Sequence, residues 1–170
     1  MAKSNFLHKL FSTGPIILLY YLSISEIDTN LEKVFEIFSF NLQIIIIYFW
    51  IIKRPVLMGP GHIFLAGLIN DVVMSFPLGI SSLAYLLVCF VGNYVRNKSV
   101  NTTFASDWFT FFIALLLSNV LFFSLLNNFS DIAISYSKIG YNTFFTLFLF
   151  PIFWLLFNFY QVSFVGGQDA

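Results

Sequence analysis

The sequence predicts an all-α integral membrane protein: six transmembrane helices, short loops and both termini cytoplasmic. Three observations predict it. Of 170 residues, 59% are hydrophobic and only 9% charged, whereas a soluble domain carries roughly a quarter charged residues. The 24 phenylalanines are more than one aqueous core of this size encloses, so lipid is the expected solvent for much of the surface. Six apolar stretches then approach the roughly 20 residues that cross a hydrocarbon layer. Finally, the basic residues gather in alternate connections between those stretches.

The first stretch runs over residues 10–24, with Pro15 near its start, where a helix tolerates proline. It follows Lys3 and Lys9, but no small-residue cleavage pattern comes after it (the run ends SISEIDTN), so it reads as a retained first helix and not as a cleaved signal. The second covers 38–52 (FSFNLQIIIIYFWII) and is stopped by Lys53, Arg54 and Pro55. The third and fourth, 62–76 and 78–94, are divided by Pro77. As one continuous helix they would rise about 50 Å, well beyond a membrane core of about 30 Å. A hairpin is therefore expected, with Pro77 disfavouring helix at Phe76 and Gly79 freeing the turn. The fifth covers 108–126, and the sixth 141–165, where Pro151 is expected to kink it. The whole chain, 1–170, reads as a single transmembrane domain.

In this arrangement Lys3, Lys9, Lys53, Arg54, Arg96 and Lys98 share one side, against Lys33 and Lys138 on the other. The excess of Lys and Arg marks the cytoplasmic side, so both termini of this multi-pass chain are placed inside. The first outer loop carries Glu26, Asp28, Glu32 and Glu36. Tyr48, Trp50, Tyr94, Trp108, Tyr141 and Tyr160 fall near span ends and read as interfacial belts. Net charge is zero, which argues against a nucleic-acid or other polyanionic partner. Cys89, alone among apolar neighbours, reads as a buried small hydrophobe. The matches to the glycosylation acceptor pattern, NKS, NTT and NFS, read as chance in an Asn-rich chain.

Polar residues inside the spans are few: Asn41, Gln43, Asn70, Asp71, Ser81, Ser82, Ser118, Asn119 and Asn158. Asp71 is the one ionisable side chain expected well inside, in the stretch GLINDVVMSFPLG. A charge at mid-depth costs about 2.5–3.5 kcal/mol on insertion scales, so such a residue faces protein or water. Gly67, Asp71 and Ser75 follow at i, i+4 and i+8, one stripe of a helix. Small residues around a polar one let another helix approach. Two readings stand: a polar contact between helices or subunits, or a carboxyl near the outer surface reached by water. No catalytic set, metal site or cofactor site is expected. His62 and Asp71 fall on opposite sides of a helix, GPGH lacks the Lys-Ser/Thr of a phosphate loop, and His8 and His62 alone make no metal site. The protein reads as a non-enzyme.

The stretch FNLQIIIIYFWIIKRP, then Gly61, then AGLINDVVMSFPLGISSLAYLLVCFVGNYV resembles the central signature of the rod shape-determining protein MreD family. The resemblance lies in an aromatic cluster (Tyr48, Phe49, Trp50) before Pro55, Gly67-Leu68 leading to Asp71, and a Pro77-Leu78-Gly79 corner with an apolar hairpin partner. Many members have a glycine between the Asp and the corner, where this chain has Met74, Ser75 and Phe76. The resemblance implies a non-enzymatic inner-membrane scaffold of the wall-elongation complex that maintains bacterial rod shape. Its implied partners are an MreC-like bitopic protein, actin-like MreB, and a RodA-type glycosyltransferase with its transpeptidase. It also implies that Gly67, Asp71, Ser75, Pro77, Leu78 and Gly79 are packing or partner-contact positions. The rival reading is the small-molecule-binding subunit of an energy-coupling vitamin transporter, which should bury a ligand among converging polar side chains; Gln43, Asn119 and Asn158 are the candidates.

Overall fold

A computed structural model describes residues 2–25, 41–98, 103–129 and 136–165. The acidic first outer loop with Lys33, the beginning of the second stretch at Phe38–Phe40, and Asn101 lie outside them. Among the described residues there are six α-helices and no strand: α1 (Ala2–Ile24), α2 (Leu42–Lys53), α3 (Pro60–Val73), α4 (Ile80–Lys98), α5 (Phe104–Phe129) and α6 (Tyr136–Tyr160). A π-helical turn, Gln161–Val165, continues α6.

Local chemistry sets these boundaries. Asn41 caps α2, its side-chain oxygen accepting from Ile44 N–H at 3.1 Å, and Lys53 closes the helix where cations suit the dipole. Gly59 and Pro60 open α3, Pro being tolerated where its N–H would be unpaired anyway. Thr103 accepts from Ser106 N–H at the start of α5. Arg96 and Lys98 sit in the last turn of α4.

Every residue of α2 from Ile44 to Ile52 is buried, so this helix is the axis of the bundle. α1, α4 and α6 pack on it. Tyr48 reaches α5 through an edge contact with Phe111 and a hydrogen bond to Thr110. Phe111 stacks on Phe150 of α6 at 4.1 Å. Tyr48 and Trp50 are therefore core residues, with 0% and 1% exposure, and not the interfacial belt expected of them. Tyr94, Trp108 and Tyr141 are exposed.

Around this axis the apolar side chains face outward. Phe90 on α4, Phe109 and Val120 on α5, and Phe144, Phe148 and Phe159 on α6 are all more than 60% exposed. Two segments, Phe104–Phe129 and Ile139–Ser163, are long and apolar enough to cross a membrane. Only 28% and 11% of their apolar windows is buried inside the protein, whereas the core helix of a soluble fold is buried on most sides. The other apolar helices are shorter than the spans expected: α2 has 12 residues and α3 has 14, or about 18 and 21 Å of rise.

α6 runs through Pro151 as one helix. Two boundaries differ from expectation for identifiable reasons. α1 begins at Ala2, so Pro15 lies in its interior and not in its first turn. α3 ends at Val73, before Pro77 has any say. Ser75 takes a left-handed conformation (φ 55°), and the N–H groups of Ser75 and Phe76 return to the carbonyls of Val72 (3.3 Å) and Asp71 (2.9 Å). This is the paired bonding of a Schellman stop, with serine where glycine is usual. Ser75 thus leaves the Gly67–Asp71 stripe.

Candidate functional site: the α3–α4 corner and the inner cluster

Asp71 is fully buried. Its Oδ2 accepts from Gly79 N–H at 2.8 Å and its Oδ1 from Ser81 N–H at 2.9 Å. Those donors belong to the unpaired first turn of α4, where the helix dipole also favours an anion. The acid is thus a cap supplied by the preceding helix, and it fixes the hairpin at its turn. Gly79 makes the turn possible with φ +100°, which a side chain would strain. Leu78 is 70% exposed at the corner, while Ile80 N–H returns to the Pro77 carbonyl at 3.5 Å.

Gly67 lies where the two hairpin helices touch. A Cβ there would come within 2.6 Å of Ser82 N, a backbone atom that cannot swing away. Ser82 Oγ donates to the Phe64 carbonyl at 3.0 Å across the same contact. Close approach through small residues, with hydroxyls bonded across the seam, is the packing that works where lipid removes the hydrophobic drive between helices. The Gly67 and Asp71 positions therefore act together within one hairpin, each turned to the chain's own backbone.

Beside Asp71 a polar network joins four helices. Gln43 of α2 donates through Nε2 to Asn70 Oδ1 of α3 at 3.2 Å and to Ser23 Oγ of α1 at 3.4 Å. Its Oε1 accepts from Tyr85 OH of α4. Asn70 Nδ2 donates to Ser81 Oγ at 3.1 Å. Each amide finds partners within the network, which turns the polar groups toward each other and away from the apolar exterior. Sequence reasoning named Gln43, Asn70 and Ser81 but not Ser23 or Tyr85. Asn119 pairs separately with Thr143 of α6 at 2.8 Å, so it does not converge on Gln43. His62 meets Tyr20 OH at 3.0 Å, and no serine. Cys89 is buried.

A second buried acid was missed. Asp107, in the first turn of α5, is 1% exposed and pairs with Lys53 Nζ at 3.3 Å. The expected fifth stretch began one residue after it, and so left it outside. The Lys53 ammonium also lies 5.5 Å from the Trp154 ring centre, a cation–π distance. Both ions occupy the helix ends that suit their charge. Asp71 and Asp107 do not face each other: they mark opposite ends of α4, whose 19 residues rise about 28 Å. Among the described residues no group of three or more His, Cys, Asp or Glu side chains could hold a metal ion.

Comparison with family models, curated proteins and solved structures gives no match.

Proposed function

We propose that this chain is a six-span, non-enzymatic membrane scaffold of the MreD type, acting in the cell inner membrane within the wall-elongation complex. The observation that carries the reading is the α2–α3–α4 unit, on which the signature residues fall. The aromatic cluster Tyr48–Phe49–Trp50 fills the middle of the bundle, and Gly67, Asp71 and Gly79 build its hairpin. The six-span reading draws further support from an axis helix wrapped by helices with apolar exteriors, the arrangement lipid requires. In it, α2 and α3 are short because protein covers α2 on every side, and because a turn and a loop finish the crossing at α3. The polar network is satisfied by its own members, which favours a packing role over the vitamin-binding alternative.

The implied partners are the MreC-like bitopic protein, actin-like MreB, and the RodA-type glycosyltransferase with its transpeptidase. Affinity purification of the tagged full-length chain from native membranes should bring down the bitopic partner, and depletion should round the cells. Cells that keep their rod form under depletion, with a vitamin retained on the purified protein, would replace this reading with the carrier.

A further inference from the structure

We propose that the cleft formed by Lys53, Asp107 and Trp154 binds a phosphoethanolamine group presented by a lipid of the inner leaflet. The proposal rests on the six-span reading, which puts this end of the bundle at the cytoplasmic headgroups. The cleft has apolar walls that include Ile52 and Phe150. It has no room for a water molecule as it stands, so a headgroup enters as the Lys53 chain moves outward. Lys53 is the more exposed member of the pair, at 21% against 2% for Asp107.

The chemistry of the lining selects the ligand. Neither oxygen of Asp107 accepts a hydrogen bond, and Trp154 Nε1–H donates none, although all three atoms are buried. Buried polar atoms are nearly always paired, so three unmet ones around a single cleft call for an explanation. The Lys53 ammonium, with its three protons, lies 3.3 Å from Oδ2 without a hydrogen bond to it. Two acceptor oxygens and two donor groups, the ammonium and the indole N–H, are therefore available, around a pair whose charges cancel. A zwitterion carrying an N–H-bearing ammonium and a phosphate meets all four. The ammonium donates to Asp107 and lies near the Trp154 face, and the phosphate accepts from Lys53 and Trp154. A quaternary ammonium has no N–H for Asp107, and an anionic headgroup brings a net charge that the cluster does not balance.

Depth agrees. Ser118 Oγ of α5 donates to the Ala84 carbonyl of α4 at 3.3 Å, which sets the two helices in register. Counting from that level, Asp107 lies about 16 Å toward the inner end and Lys98 about 21 Å. The carboxylate thus sits roughly one helical turn inside the last cation of α4, next to exposed Trp108.

The test uses the full-length protein in detergent micelles, offered equal amounts of phosphatidylethanolamine, phosphatidylcholine and phosphatidylglycerol with identical acyl chains. Native mass spectrometry reads what is retained. Wild type should prefer the ethanolamine lipid by roughly tenfold, the scale of one charge-assisted hydrogen bond. Asp107→Asn should bring the three lipids to near parity. Trp154→Phe, which keeps an aromatic ring beside the ion pair and removes the N–H, should lower the preference severalfold. Equal retention of all three by wild type, or an unchanged preference in both variants, would overturn the site. Soluble phosphoethanolamine titrated alone should leave the unfolding temperature unchanged; a shift abolished by Asp107→Asn would assign the site to a soluble ligand and overturn the lipid source. An alkaline carbonate wash separates the two levels. Release from membranes contradicts the six-span reading, whereas retention without lipid preference contradicts only the site.

Discussion

The two ends of α4 hold two buried acids in opposite states. Asp71, at the α3–α4 corner, spends both oxygens on the N–H groups of Gly79 and Ser81. Asp107, beyond the other end, has a lysine at 3.3 Å and no hydrogen bond to either oxygen. The first is satisfied by backbone that cannot leave without unwinding the hairpin. The second is held by one flexible side chain, so its hydrogen-bonding capacity remains on offer. Burial alone does not separate structure from recognition; the partner's freedom to move does.

Removing the carboxylate of Asp71 should have the largest effect. Asp71→Ala leaves one buried and one part-buried N–H group without acceptors and removes the anion from the α4 dipole, costing roughly 3–5 kcal/mol. Asp71→Asn keeps one acceptor oxygen and should cost about half as much. Reversible unfolding in mixed micelles reads both, and a loss under about 1 kcal/mol for Asp71→Ala would remove the cap from the account.

The Lys53–Asp107 pair should break differently. Lys53→Met strands a buried carboxylate and should cost about 3 kcal/mol, while Lys53→Met with Asp107→Leu should recover most of it, since an apolar pair of similar volume replaces an ionic one. If the double variant is no more stable than Lys53→Met, the pair is not the unit described here. Two smaller changes sharpen the corner. Gly67→Ala pushes a Cβ into the Ser82 backbone and should cost about 2 kcal/mol. Ser75→Gly relieves a left-handed serine and should stabilise by about 1 kcal/mol; destabilisation there would contradict the Schellman stop.

Much of the hairpin was legible in the sequence, because glycine, proline and a lone acid in an apolar run each have few physical uses. The position of the helix stop was not. Two local hydrogen bonds and a left-handed Ser75 end α3 early, and no residue type at 74–76 announces them. The interior of α2 was misread at Tyr48 and Trp50, since aromatics near the end of an apolar run suit an interface as well as a core. Only the packing of α5 and α6 around them decides the matter. Asp107 escaped for a related reason: it lies beside a span boundary drawn by hydropathy, and its burial depends on Lys53, 54 positions earlier in the chain. Ser23 and Tyr85 joined the polar network through tertiary contact alone.

The claim beneath all of this is that lipid surrounds the bundle and that successive helices cross it. In a Cys89→Ser background, Asn101→Cys precedes α5 and Asn128→Cys lies in its last turn, and a membrane-impermeant maleimide reports the side of each. Labelling of Asn128→Cys in intact cells, with Asn101→Cys reacting only after permeabilisation, is the predicted result. Reaction of both from the same side would contradict it.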